Sequence, residues 1–564
     1  MPNDALHIKF AAREQHNALS GGRIDKITSV SFDTICLRVF NNGATHNLLL
    51  SANAEKPRCY ITAAIPQGLS AAPAFLTHLK KHIGGGRIKS IETEKGERII
   101  KIGIEAKNEF GEARFFTLIA EIMGRHSNIL LTNDVGRITE SMKHIPPDLS
   151  SKRPVLPGLL YETAPRSAEK LCAETQNGLL AERFTQFGGG DLADFLLKNL
   201  SGLSPVSIAE AAHGAAGSAD IGKAAAAEIA RLYSESAFSP CIEKMEGRIA
   251  DFFVRPFGSR GGEFISMPSL NAAMDAFYTE NAARAAFDAQ SRKLVSAAKT
   301  AHSRAEKRLG LLMQQKSAAD DFETERIKGE ILTANLYRAK QGDLFLEAEN
   351  YYESPCVPIT IELCLKLSPA AVAQRYYKRY QKKKKTLAYT VPQIEQAKQD
   401  AEYFESVLVS VKACETLDDL AEIAEELIKN GALKAEKTSA NKKQAAVQSR
   451  AAGVKRTEFE GYVILTGKNN TQNDALVKGS QPCDVWLHVK DGAGAHTVIV
   501  NPKKSMPPEK ILRRAAAITA LYSKASAGEN IAVDYTFIKF VFKQKGAPPG
   551  KVVYKEQKTV YVTP

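Results

Sequence analysis

A chain of 564 residues, 44% hydrophobic and 25% charged, is too long for a single core and too apolar for global disorder. Its length predicts roughly three or four modules. No apolar run reaches membrane-spanning length, and the opening residues MPNDALHIKF lack the basic and apolar regions of a secretion signal, so a cytoplasmic protein with no membrane partner is expected. The formal net charge is +13, and it is segregated: residues 434–564 hold 22 Lys and Arg against 10 Asp and Glu, which leaves 54 against 53 for everything earlier. Such segregation is the electrostatic footprint of a polyanion, nucleic acid before acidic lipid. The eight cysteines are scattered, with no close pair at zinc or redox spacing, so reduced thiols are expected and neither a metal nor a cofactor.

Residues 1–175 alternate short apolar runs with turn signals (RIDKITSV, TICLRVF, HNLLLS, ERIIKIGIEA, ARFFTLIAEIM), which predicts a twisted or sandwiched β domain. One helix, over 73–83, interrupts it before Gly84-Gly85-Gly86. In the region 176–270 the pattern becomes helical from Asp191, a suitable N-cap. DLADFLLKNLSGLSPVSIAEAAHGAAG has the form of a helix-hairpin-helix, whose turn either offers backbone amides to phosphate or only packs. Within 271–430 the stretch 273–316 has no proline and one glycine, and predicts a long helix. Its expected partner follows Pro392, where Ile394, Ala397, Ala401, Phe404, Leu408 and Val411 recur in steps of three and four. These two make an antiparallel coiled-coil arm. The tip, 319–368, reads as a helix over 322–341 and two short strands. A polar, basic linker over 431–456 leads to a closing α/β module, 457–564.

In DVWLHVK, a period of two puts Val485, Leu487 and Val489 on one face and Trp486, His488 and Lys490 on the other. An indole, an imidazole and an ammonium in a row suit looped or single-stranded RNA, although a lone Trp is more often a core residue. GYVILTGKNN is not a phosphate loop, because five residues separate Gly461 from Gly467 and Asn469 stands where Ser or Thr would bind magnesium. Its Lys468, Asn469 and Asn470 join the candidate RNA contacts. So do Arg513 and Arg514, on a helix after Pro507-Pro508 that buries Ile511, Ala515, Ile518 and Tyr522 and offers Lys510 and Lys524 beside the arginines. In the first domain, EIMGRHSN brings Glu121, Arg125 and His126 to a turn, and Glu97-Arg98 opens the neighbouring strand. Either cluster fits a site or a salt-bridged bend.

EIMGRHSN (121–128), AQRYYKRYQK (373–382), TGKNNTQND (466–474), DVWLHVKD (484–491) and QKTVYVTP (557–564) together resemble the NFACT family, over essentially the whole chain and in the family's order. The resemblance implies an α+β multidomain architecture: an amino-terminal domain like formamidopyrimidine-DNA glycosylase, a helix-hairpin-helix, a coiled-coil arm and a carboxy-terminal NFACT-R domain that binds RNA. It implies a role in ribosome-associated quality control, on large ribosomal subunits obstructed by peptidyl-tRNA. There the protein would recruit alanyl-tRNA for mRNA-independent alanine tailing, with peptide transfer left to the ribosome and no catalysis by the protein itself. By motif position the family's tRNA-engaging Asp-Arg pair falls on Glu97 and Arg98, Glu standing for Asp, and its second tRNA-contacting patch on Glu121, Ile122 and Met123, with Arg125 and His126 in the same turn. Two alternatives carry contrary signals. A glycosylase would use an amino-terminal proline followed by an acid, but Pro2 is followed by Asn3 and Asp4 comes one place late. A fibronectin-binding adhesin would be expected to carry a signal peptide and a wall anchor.

Overall fold

The computed structural model describes residues 3–64, 68–69, 73–108, 110–165, 169–175, 178–353, 355–435 and 453–564. Pro2, on which the base-excision alternative turns, lies outside these residues, as does most of the expected linker. The chain forms two compact units, Met1–Ala283 and Arg284–Pro564. Among the described residues no helix is long and apolar enough to cross a membrane.

The first unit is organised by a nine-stranded antiparallel sheet: β1 (Arg23–Ser31), β2 (Thr34–Asn41), β3 (Ala44–Ser51), β4 (Arg58–Thr62), β5 (Arg87–Thr93), β6 (Ile99–Lys107), β7 (Ala113–Glu121), β8 (Asn128–Asn133) and β9 (Ile138–Ser141). Their spatial order is β4-β3-β2-β1-β5-β6-β7-β8-β9. The β2–β3 hairpin closes through Asn42-Gly43 with φ of 47° and 80°, the pair of positive values that a two-residue turn matching strand twist demands. Alternating Ile and Leu, among them Leu37, Leu48, Ile100, Ile102 and Leu131, line one face and meet the expected helix Ala74–Ile83 through Phe75, Leu76 and Leu79. Each such side chain contributes about 1.5–3 kcal/mol when fully buried.

The expectation of strands alone before residue 73 is wrong in one respect. Residues Ala5–Leu19 form a helix buried along both sides, between the sheet core and a second core built from later residues. With Ile8 and Ala12 in one core and Leu6, Phe10 and Ala11 in the other, it keeps only a narrow polar edge, Lys9, Arg13, His16 and Asn17. Asp4 starts it. The Asp4 carboxylate accepts from the His7 amide at 3.1 Å and the His7 ring at 2.7 Å, and also from the Ser204 amide at 2.8 Å and the Ser207 hydroxyl at 2.7 Å.

Ser204 lies in the turn between helices Leu192–Asn199 and Pro205–Ala215, the pair read from DLADFLLKNLSGLSPVSIAEAAHGAAG. Asp191 caps the first helix as expected, and Ser204 caps the second by accepting from the Ser207 amide. The turn, however, packs inward. An internal carboxylate occupies the start of the second helix, where a phosphate was one expectation. The same region also holds an unforeseen antiparallel sheet, Cys241–Met245, Arg248–Phe253 and Glu263–Ser266, whose Phe252 and Phe253 fill the second core.

In the second unit, helix Leu270–Ser317, which begins in the first, continues antiparallel to Pro369–Ala413. Leu309 and Leu312 meet Ile394 and Ala397, while Leu294 and Ala298 share a cluster with Val407 and Val411. The returning helix begins well before the expected Pro392. It is capped by Ser368 with Pro369 in its first turn, and it runs through Pro392. An interior proline costs about 3 kcal/mol, a penalty that 45 residues of packed helix offset. Beyond residue 400 the expected Val411 is buried, but Tyr403 and Val407 are buried where Phe404 and Leu408 were expected, and Ala401, Phe404 and Leu408 are only partly buried. The cause is an additional helix, Leu417–Lys429, that packs Leu420, Ile423 and Leu427 against that end. The tip has the expected helix and two strands, Phe345–Asn350 pairing with Val357–Glu362, but the helix ends at Ala334, short of the expected 341, and a separate 3₁₀ turn, Leu336–Arg338, follows it.

The closing module is a six-stranded antiparallel sheet in the spatial order Lys455–Phe459, Tyr462–Thr466, Thr497–Val500, Val485–Val489, Ile531–Phe537, Lys558–Val562. Helices Asn470–Gly479 and Glu509–Leu521 accompany it.

Asp4 provides a first test. Burial alone would raise its carboxyl, but the His7 charge and the hydrogen bonds from His7, Ser204 and Ser207 together hold it below the ordinary 3.8. A depressed carboxyl stabilises the fold above its unfolded value, and that stabilisation is lost as pH falls through the lower folded value. Asp4→Ala is expected to cost about 3 kcal/mol at neutral pH, and the difference from the parent should shrink below pH 3.8; thermal denaturation across pH measures both.

Candidate RNA interface

In the first unit, two turns that the sequence marked separately lie side by side. The β5–β6 turn carries Glu97 and Arg98, and the carbonyl of Arg98 accepts from the Ile122 amide at 2.8 Å, just after β7. Gly96 allows this placement. Its φ is +69°, and a Cβ there would sit 2.5 Å from Cys172 Sγ. Gly202, in the turn between the two helices, approaches Gly96 so closely that its own Cβ would meet the Gly96 carbonyl at 3.0 Å. Glycine back to glycine thus seats the Glu97-Arg98 turn against the helical pair.

The side chains divide into support and surface. Glu121 and Ile122 are 1% and 2% exposed, which corrects the expectation that they stand at the surface of the turn. The Glu121 carboxylate accepts a two-pronged guanidinium from Arg153 and the Tyr161 hydroxyl at 2.9 Å, while Ile122 belongs to the sheet core. Met123 is partly buried, and its amide donates to Ser127 Oγ at 2.8 Å. The 3₁₀ turn Gly124–His126 then raises Arg125 and His126 into solvent, with Arg125 Nε 3.0 Å from His126 Nε2. Arg98 is exposed and Glu97 half-buried. The outward chemistry is therefore two guanidiniums and an imidazole, a set suited to phosphate and to stacking on an unpaired base. Arg153 and Tyr161 escaped the sequence reading because they lie some 30 to 40 positions beyond the carboxylate they hold.

In the closing module several expected contacts turn inward. Lys468 Nζ pairs with Asp419 at 3.1 Å, Asn469 donates to Glu422 at 2.7 Å, and Asn470 donates to Glu426 at 3.0 Å and to Ser406 at 2.9 Å. Asn469 and Asn470 are buried. These three residues clamp the module to helix Leu417–Lys429, whose acidic face (Asp419, Glu422, Glu426) sits at steps of three and four. Asn469 also caps helix Asn470–Gly479 by accepting from the Gln472 amide. The expected open face of Trp486 is likewise corrected: the indole is 0% exposed, in a second core layer with Leu476, Val498, Ile538 and Val541. Period two separated the faces correctly, but both are covered. His488 is partly exposed and Lys490 exposed.

The helix Glu509–Leu521 keeps the predicted division, with Ile511 and Ala515 inside and Arg513 and Arg514 outside. Arg513 reaches Glu509, and the Arg514 guanidinium lies 5.8 Å from the centre of the Phe459 ring. A further basic surface lies on the returning arm helix, where Arg375, Lys378, Arg379, Lys382 and Lys385 are exposed around the partly exposed Tyr377. RYYKRYQKKKK was its signal, hidden because the charge of the first three-quarters balances overall.

A family model described as "NFACT N-terminal and middle domains" matches residues 4–446, and one described as "NFACT protein RNA binding domain" matches 454–556. The chain belongs to the NFACT family. Curated NFACT relatives include the "Rqc2 homolog RqcH" of Bacillus subtilis, 34% identical over all of this chain and 98% of that protein. The protein of the same name from Streptococcus pneumoniae strain D39 is 31% identical over the same shares. A solved structure, the N-terminal part of the fibronectin/fibrinogen-binding protein from Streptococcus suis, is 27% identical over 49% of this chain and 98% of that one, with a TM-score of 0.43.

The inward and outward sets separate in experiment. Lys468→Ala is expected to lower stability by about 2 kcal/mol while leaving the salt dependence of RNA binding unchanged, because it strands Asp419 and removes no surface charge. The double change Arg513→Ala, Arg514→Ala is expected to leave the melting temperature in place and to reduce the slope of log affinity against log salt by about 2. Thermal denaturation and filter binding over a salt series measure the two effects.

Proposed function

We propose that this NFACT protein is a ribosome-associated quality control factor. It binds large ribosomal subunits obstructed by peptidyl-tRNA and recruits tRNA, alanyl-tRNA in the first instance. In doing so it supports mRNA-independent addition of alanine to the stalled chain, working in the cytoplasm. Peptide transfer belongs to the ribosome, and the protein contributes binding and placement without catalysis. The observation that carries this reading is the full-length similarity to proteins named Rqc2 homolog RqcH, joined to a C-terminal RNA binding domain.

A division of labour follows from the two sets of cations. Arg98, Arg125 and His126, raised on the buried Glu121–Arg153–Tyr161 support, select the tRNA, with Glu97 beside them. The exposed Lys490, Arg513 and Arg514 add phosphate contacts on ribosomal or transfer RNA. The Glu97 carboxylate keeps the charge of the family's Asp with one methylene more, so its reach and not its sign differs.

Arg98→Glu is expected to abolish alanine tailing on stalled chains while co-sedimentation with large subunits is retained. Loss of subunit binding by this variant would contradict the assignment of Arg98 to tRNA selection.

A further inference from the structure

A cavity of about 550 Å³ opens within the second unit, between the closing module and the returning arm helix. Its size falls in the range of small-molecule sites, and its walls are aromatic to an unusual degree. Trp486 and His488 lie parallel, 5.7 Å between centres with 11° between planes. His496 meets both rings edge-on at 5.3 and 5.2 Å, and Tyr554 lies 4.8 Å from the indole. The structure thus contains a stack that ends in the two rings still partly exposed, His488 and Tyr554.

Polar chemistry points to what completes it. Trp486 and His496 line the cavity and are 0% and 2% exposed, yet indole Nε1 and imidazole Nδ1 have no hydrogen-bond partner among the described residues. A buried polar group left in that condition costs about 1–3 kcal/mol each, so two beside one cavity mark a place where a ligand brings the partners. The indole N–H is a donor only and requires an acceptor. Burial holds both imidazoles below their usual value, so at neutral pH they are uncharged; with the His496 N–H turned to the Gly550 backbone, its Nδ1 is left as an acceptor that requires a donor. An organic cation supplies donors alone and leaves the indole unmatched. A heteroaromatic ring with acceptors and donors on its edge matches both nitrogens and stacks as well. At the mouth Lys551 pairs with Glu402 at 2.9 Å and Glu405 and Asp491 add negative charge, so the lining favours an uncharged ring over a phosphate; the exposed Lys490, just past the strand that carries His488, is the cation nearest in sequence that is unpaired among the described residues.

We propose that this cavity takes a single unstacked nucleobase, seated against His488 and Tyr554 with its edge hydrogen-bonded to Trp486 Nε1 and His496 Nδ1. The inference rests on the RNA-binding reading of this domain and narrows it from a charged surface to an enclosed subsite. Base stacking in such sites is sequence-tolerant, and the two ring nitrogens add a preference among bases.

Trp486 is the chain's only tryptophan, so its emission reports on this site alone. The full chain is titrated with each of the four ribonucleoside monophosphates and with a short single-stranded RNA. Saturable quenching by at least one mononucleotide is expected, and quenching at lower concentration by the RNA identifies a strand as the source of the base. His488→Ala should weaken the response about tenfold. Ala493→Phe crowds the cavity from a loop while keeping every polar group, and should weaken it similarly with an unchanged melting temperature. If RNA binds with unaltered emission and His488→Ala binds it equally well, the subsite is wrong while the RNA-binding reading stands. If neither RNA nor any mononucleotide binds, the RNA-binding reading fails too. Quenching by a peptide and by no nucleotide overturns the proposal.

Discussion

A buried carboxylate cannot remain unmatched, and in this chain that requirement decides which polar residues are left for a partner. Asp4 takes the turn before helix Pro205–Ala215, Glu121 takes Arg153 and Tyr161, and Asp419 with Glu422 and Glu426 takes Lys468, Asn469 and Asn470. Each acid lies where two elements distant in sequence must be joined. Residues that answer them are structural however basic or polar they are. The outward chemistry is what remains: Arg98, Arg125 and His126 in one unit, and Lys490, Arg513, Arg514 and the arm-helix cations in the other.

Much of this was legible in the sequence, and the omissions have a common cause. Local signals were reliable: Asp191 as a cap, the two strands of the tip, and the inward set Val485, Leu487 and Val489. These depend on neighbours within a few residues. Lys468 and Glu121 read as surface groups because their partners lie about 49 and 32 positions away, and no periodicity connects them. Trp486 illustrates the same limit on a strand. Alternation shows that there are two faces, but not that Leu476, Ile538 and Val541 from later and earlier segments cover the second. Helix Ala5–Leu19 was missed for the converse reason: buried on two sides, it has too little polar contrast to be recognised by its period.

On the proposed function the NFACT-R module would combine two modes of contact. Exposed cations would supply affinity that falls with salt and is indifferent to sequence, and the enclosed aromatic cavity would supply the shape on which discrimination depends. The two are separable because the clamp to helix Leu417–Lys429 fixes the module's frame through residues that belong to neither.

The central claim is that one chain presents two outward cationic sets, each engaging folded RNA of a different kind. Sequencing the RNA that accompanies the tagged full-length protein through purification at modest salt tests this most directly. The account predicts both large-subunit ribosomal RNA and transfer RNA in the eluate. Recovery of neither would contradict it.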